Sequence, residues 1–182
     1  ELREHAPVAA LGLAVGLLLT VYHAARGARF VRDGSTSWAD SSLTPPIARG
    51  NYQGSLIVIC GAIAFALGFF LAWKEEWKGT WAFLLHRPVT RGQVLLSKLS
   101  AGAILYTGAT MLPYGLTALW SALPGNYPTP WSAHYLLGGV AIWLSGLVVL
   151  VAALLAGLRP ARWYATRFAP VTAALSLLFA GV

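Results

Sequence analysis

Charged residues are scarce in this chain, and cysteine is almost absent. Only 10% of the 182 residues are Asp, Glu, Lys or Arg, whereas soluble domains carry roughly 25%. The hydrophobic fraction is 57%. The one cysteine, Cys60, cannot form an intrachain disulfide and has no partners at metal-ligand spacing. The composition therefore excludes a disulfide-bonded scaffold and favours a protein embedded in a bilayer.

Long uncharged runs separate the few charged residues. A spanning helix needs about 20 mostly apolar residues, and its amides must be paired internally because lipid offers no hydrogen bonds. Five runs meet this description, at about residues 6–25, 55–73, 99–123, 135–158 and 168–182. The sequence therefore predicts an all-α, polytopic helical membrane protein, with residues 1–182 as a single transmembrane domain. Since the chain opens at Glu1 and ends inside an apolar run, we expect it to be truncated at both ends.

Several classes of function lack the residues that they need. No Gly-x-x-x-x-Gly-Lys-Ser/Thr segment is present for nucleotide binding, and no HExxH segment for zinc. No predicted span contains a carboxylate, which membrane-embedded enzymes and proton-driven carriers generally use. The net charge of +7 is spread over short gaps between spans rather than forming one stripe, so nucleic acid is not an expected partner. We predict no catalytic residue, no metal and no cofactor in this chain.

The distribution of Lys and Arg predicts the orientation in the membrane. Cytoplasmic segments of membrane proteins carry an excess of these residues. If the N-terminus is cytoplasmic, nine Lys and Arg residues lie on the cytoplasmic side of the membrane: Arg3, Lys74, Lys78, Arg87, Arg91, Lys98, Arg159, Arg162 and Arg167. Four fall outside: Arg26, Arg29, Arg32 and Arg49. The balance favours a cytoplasmic N-terminus, and the four outer arginines could begin an amphipathic helix in the interface.

The segment between the second and third spans, residues 74–98, holds the most structural information. Gly79-Thr80 is expected to end the helix that leaves span two, and Thr80 can cap a short helix from Trp81 to about Arg87. Pro88 would stop that helix. Thr90 and Gln93 then have the spacing of a capping box that opens the helix of span three. The pattern predicts a short helix lying across the cytoplasmic surface between two spanning helices.

This segment resembles the permease subunits of the ABC-2 transporter family. In that family span two is followed by Glu, then Gly-Thr, a Leu-Leu pair, Pro, Arg and a Lys at the start of span three. The matching positions are Glu76, Gly79, Thr80, Leu84, Leu85, Arg87, Pro88, Arg91 and Lys98. The close match covers about 25 residues, and the hydropathy layout covers the rest. Such permeases usually have six spans, so the resemblance implies a sixth beyond the five visible ones.

The resemblance also implies a function and partners. The short helix would be a coupling element that docks on a separate cytoplasmic ABC ATPase subunit, with Trp81, Leu84 and Leu85 as apolar anchors. Arg87 and Arg91 would add charge complementarity. A second permease subunit, identical or paralogous, would complete an exporter of an amphipathic or lipid-like substrate in the plasma membrane (the bacterial inner membrane). The alternative is a non-transporting accessory or assembly subunit.

Overall fold

The computed structural model describes residues 2–32, 45, 47, 50–78, 90–124, 126, 131–158 and 164–180, and within these ranges the chain forms five helices. They are α1 (Leu2–Arg32), α2 (Gly50–Lys78), α3 (Arg91–Ala122), α4 (Tyr135–Leu158) and α5 (Tyr164–Ala180). No strand occurs in this part of the chain. The prediction of an all-α fold is therefore confirmed.

Three of the helices are long and apolar enough to cross a bilayer. These candidate spans are Tyr52–Ala72, Gly92–Ala122 and Tyr135–Leu158. The apolar parts of α1 and α5, Ala6–Tyr22 and Phe168–Leu177, coincide with the first and fifth predicted spans but are shorter. Helix α1 also continues to Arg32 without a break, past the predicted end of span one near residue 25. The chain is a multi-pass helical membrane protein.

The helices pack as two groups. Helix α2 makes its most extensive contact with α4, and α5 packs mainly on α4. Helix α1 makes its most extensive contact with α3. We refer to these as the α2–α4–α5 group and the α1–α3 pair. The contacts of α3 with α2 and α4, and of α1 with α2, are smaller.

Small residues allow α2 and α4 to approach closely. A Cβ atom added at Gly68 of α2 would collide with the Leu150 carbonyl oxygen and the Ala153 side chain of α4. A Cβ atom at Gly157 of α4 would collide with Ala72 of α2. Because lipid tails are as apolar as the side chains, close van der Waals packing of this kind is what stabilises helix pairs in membranes.

Helices α1 and α3 meet at the proline of α3. A Cβ atom at Gly16 would lie 2.7 Å from Cγ of Pro113. One turn later, the Thr20 hydroxyl lies 3.0 Å from the Gly16 carbonyl and 3.3 Å from the Pro113 carbonyl. The Thr117 hydroxyl lies 3.0 Å from the Thr20 hydroxyl oxygen and 2.9 Å from the Pro113 carbonyl oxygen, and it can donate to either. These two hydroxyls therefore join α1 to α3 at the Pro113 carbonyl.

Two tyrosines of α3 pack over two glycines of α4 in the same way. The Tyr106 hydroxyl donates to the Trp143 carbonyl at 3.2 Å, and a Cβ atom at Gly146 would collide with that hydroxyl. The Tyr114 hydroxyl donates to the Leu136 carbonyl at 3.0 Å, and a Cβ atom at Gly139 would collide with the Tyr114 ring. In both pairs the acceptor lies three residues before the glycine, so the pairs set the register of α3 on α4.

The substitution Gly146→Ala is expected to destabilise the protein, because the added methyl group occupies the space of the Tyr106 hydroxyl. Overpacking of this kind costs roughly 1–3 kcal/mol. Thermal unfolding in detergent, followed by tryptophan fluorescence, measures the effect. The control is Gly108→Ala, since a Cβ atom there meets nothing within 4 Å. Equal unfolding temperatures for the two variants would contradict the proposed packing.

Candidate functional site

Most of the predicted coupling residues lie outside the described part of the chain. Residues 79–89 are not described, and the prediction of a short helix there falls entirely within them. They include Gly79, Thr80, Trp81, Leu84, Leu85, Arg87 and Pro88. Glu76 belongs to the last turn of α2, and Arg91 is the first residue of α3. Among the predicted residues, Lys98 is the one whose side chain the structure describes.

The two helices that flank this segment lie side by side where the segment joins them. Helix α2 ends at Lys78, directly before the predicted break at Gly79-Thr80, and α3 begins at Arg91. Near these ends, a Cβ atom at Gly102 of α3 would lie 2.7 Å from the Cδ1 atom of Leu71 in α2. Residues 79–89 therefore connect two helices that lie side by side at Leu71 and Gly102.

Lys98 is buried at the junction of α2 and α3. Its side chain is 2% exposed, and its Nζ atom donates to the Leu71 carbonyl of α2 at 2.9 Å. Around Leu71 lies a small apolar cluster that includes Ala72 and Leu154. An ammonium group inside an apolar cluster is costly unless it is hydrogen-bonded, so the contact with Leu71 ties the start of α3 to the end of α2.

A capping box fixes the start of α3, as the sequence predicted. The Gln93 amide nitrogen donates to Oγ1 of Thr90 at 3.3 Å, and the Thr90 amide nitrogen donates to Oε1 of Gln93 at 3.0 Å. Thr90 has extended backbone angles (φ −71°, ψ 145°), as an N-cap residue should. The chain therefore enters α3 in a defined direction at Thr90.

The residue that sequence reasoning missed is Leu71. Its backbone carbonyl is the acceptor for Lys98, and its side chain is 1% exposed in the cluster at the end of α2. Nothing in the local sequence marks a leucine inside an apolar run as the partner of a lysine 27 positions later. The signal that was available is the lysine itself, which lies in the apolar early part of the third spanning helix.

A small cavity lies between three of the described helices. A cavity of about 10 Å³ lies between α1, α2 and α3, lined by residues that include Gly16, Tyr52, Cys60 and Pro113. That volume is about the space of one water molecule. No group of three or more His, Cys, Asp or Glu residues capable of holding a metal ion occurs among the described residues. The feature of the described residues that bears on the predicted coupling segment is the junction between α2 and α3.

The substitution Lys98→Glu is expected to destabilise the bundle strongly. It replaces a donor with a carboxylate beside the Leu71 carbonyl oxygen, and an unpaired buried charge costs roughly 3–5 kcal/mol. The control is Ser97→Glu, which introduces the same carboxylate at an exposed neighbouring position of α3. Thermal unfolding and the yield of monodisperse protein in detergent compare the two. Similar stability for both variants would show that Lys98 does not hold the junction.

A family model described as "ABC-2 family transporter protein" matches residues 9–176. The matched range covers most of the chain, includes parts of all five helices, and contains the whole segment between α2 and α3. No curated protein and no solved structure matches the chain.

Proposed function

Because the chain belongs to the ABC-2 transporter family and is a membrane permease of an ABC transporter, we propose that it couples ATP hydrolysis on a separate cytoplasmic subunit to export of an amphipathic substrate. The observation that carries this proposal is the junction described above. Residues 79–89 connect two adjacent spanning helices whose ends are held by the Lys98 contact and the Thr90 cap.

The junction suits a coupling role for mechanical reasons. A short segment fixed at both ends to spanning helices cannot be displaced without moving those helices. The family's ABC ATPase partner would bind this segment, and Trp81, Leu84 and Leu85 would supply apolar anchors, as predicted from sequence. Arg87 and Arg91 would add attraction to an acidic rim. Glu76, Gly79, Thr80, Pro88 and Lys98 would shape and hold the segment at its two ends.

Orientation and assembly follow from the same proposal. The excess of Lys and Arg at the face where α2 ends and α3 begins supports a cytoplasmic position for residues 74–98 and for the N-terminus. The membrane would be the bacterial inner membrane. Two permease subunits, identical or paralogous, would form the pathway and alternate between inward-open and outward-open states.

The chemistry of the interior supports an amphipathic or lipid-like substrate. The buried polar side chains of the described residues are hydroxyls and one lysine: Tyr52, Tyr106, Tyr114, Thr110, Thr117, Ser121 and Lys98. The lysine lies at the α2–α3 junction, so the middle of the bundle is uncharged. A strongly charged substrate would find no counter-charge there. Export fits a substrate that enters from the cytoplasm or the inner leaflet.

The test of this proposal is purification of the tagged full-length protein from native membranes, followed by an ATP hydrolysis assay. We expect a P-loop ATPase to co-purify. Replacing Arg87 with Glu, or Gly79 with Trp, should release the ATPase or uncouple its hydrolysis from transport, while membrane insertion is unchanged. Arg162→Glu is the matched control, because it makes the same charge change at the same face outside the segment.

Two outcomes would contradict the proposal. Normal coupling in both variants would remove residues 79–89 from the mechanism. Recovery of the chain alone, without ATPase activity, would favour the accessory-subunit function instead.

A further inference from the structure

We propose that the cavity between α1, α2 and α3 is a binding site for one water molecule, which donates a hydrogen bond to the Ala109 carbonyl of α3. Two features of the bundle coincide there: a proline inside a spanning helix and a cavity beside it. The site is independent of the proposed function, because it rests on the backbone chemistry of α3 and on the packing around Pro113.

Pro113 removes a hydrogen-bond donor from the middle of α3. It lies inside the helix and has no amide hydrogen. In an α-helix each carbonyl accepts from the amide four residues later, so the usual donor for the Ala109 carbonyl is missing. A carbonyl without a donor is costly in the hydrocarbon region, because lipid supplies none. Membrane proteins satisfy such a carbonyl with a side-chain hydroxyl, an altered helical turn or an ordered water molecule.

The Ala109 carbonyl oxygen lies at the contact between α3 and α1. A Cβ atom added at Gly16 of α1 would lie 3.7 Å from this oxygen. Because residue 16 is a glycine, no side chain from that position covers the oxygen. Gly16, Ala109 and Pro113 all line the cavity, so the carbonyl that lost its donor and the cavity are at the same place.

The hydroxyls that line the cavity donate to other acceptors. Thr110 donates to the Tyr106 carbonyl of its own helix at 2.8 Å. Tyr52 of α2 donates to Oγ1 of Thr117 at 3.2 Å. Among the side chains that the structure describes, none makes a hydrogen bond to the Ala109 carbonyl.

The two threonines at the α1–α3 contact serve a different carbonyl. Thr20 and Thr117 both lie within hydrogen-bond distance of the Pro113 carbonyl, one turn further along α3. The backbone does not supply the missing donor by changing its helix type, since α3 is a continuous α-helix from Arg91 to Ala122 without a 3₁₀ or π turn at Pro113. Of the three ways to satisfy the Ala109 carbonyl, water is the one that the geometry favours.

The cavity has the size and the polar groups that one water molecule needs. Its volume is about 10 Å³, which is about the space that a single buried water requires. Such a water makes roughly two to four hydrogen bonds. Its first hydrogen would bond to the Ala109 carbonyl. The Thr110 oxygen, whose own hydrogen is directed at the Tyr106 carbonyl, accepts the second hydrogen.

The remaining wall of the cavity limits the site to one orientation of the water. Leu19, Leu56 and Ile59 line it with apolar side chains, and the Cys60 thiol is only a weak donor. The strongest acceptor in the wall is therefore the carbonyl beneath Pro113. The cavity also lies within the apolar parts of all three helices, where no bulk water competes for that carbonyl.

A structure of the full chain at a resolution that shows ordered water tests the site. We expect a density peak within hydrogen-bond distance of the Ala109 carbonyl oxygen. Pro113→Ala restores an amide hydrogen at position 113, so the Ala109 carbonyl pairs within α3 and the peak should be lost. Pro170→Ala is the matched control, because it makes the same change inside α5, away from the cavity, and should keep the peak.

Two results would overturn the water site. One is a cavity without a density peak in the unsubstituted chain. The other is a peak that stays in Pro113→Ala, because hydroxyls and not the carbonyl beneath the proline would then hold the water. Loss of the peak in Pro113→Ala, with its retention in Pro170→Ala, would support the site.

Hydroxyl-radical footprinting of the full chain in nanodiscs tests the site in a bilayer. X-rays generate radicals from water, so a buried side chain is oxidised where a water molecule lies beside it. Cys60 lines the cavity and is 0% exposed, whereas Leu67 is equally buried and does not line it. Oxidation of Cys60 should fall several-fold in Pro113→Ala and be unchanged in Pro170→Ala, with Leu67 protected in all three proteins. Equal oxidation of Cys60 in the two variants would contradict the site.

Discussion

The structure depends on one constraint, that every polar group in the hydrocarbon region needs a partner within the protein. Helices satisfy it for the backbone. The hydroxyls of Thr20 and Thr117 satisfy it by bonding to the Pro113 carbonyl and to each other. Tyr106 and Tyr114 satisfy it by reaching carbonyls of the neighbouring helix. The same constraint makes α3 the helix to which α1, α2 and α4 are joined by specific hydrogen bonds.

Sequence reasoning predicted the features that depend on local pattern. The helical class, the approximate spans and the capping box of Thr90 and Gln93 follow from runs of apolar residues and from spacing over a few positions. The sequence did not reveal how far α1 extends, because α1 continues through Arg26 and Arg29 after its apolar run has ended. It also could not reveal contacts between distant positions. Thr117 and Thr20 are 97 residues apart, and only the packing of α1 on α3 brings them together.

The burial of Lys98 shows how the candidate site differs from its sequence pattern. As a basic residue at the start of a spanning helix, Lys98 could equally well face a partner subunit. In the structure the ammonium group lies inside the bundle, where it donates a hydrogen bond to the Leu71 carbonyl of α2. The other predicted coupling residues lie mostly in 79–89, outside the described part of the chain, whereas Lys98 lies inside the bundle. The junction of α2 and α3 is the part that the packing of the described helices defines.

The positions of Lys78 and Thr90 also limit the length of the segment between them. Helix α2 ends at one and α3 is capped at the other, with residues 79–89 between them. A chain of that length spans roughly 40 Å when fully extended, and it must go out and return, so its tip reaches no more than roughly 20 Å from the helix ends. If residues 79–89 bind the ATPase as proposed, the ATPase surface that they contact must lie within that distance of the ends of α2 and α3.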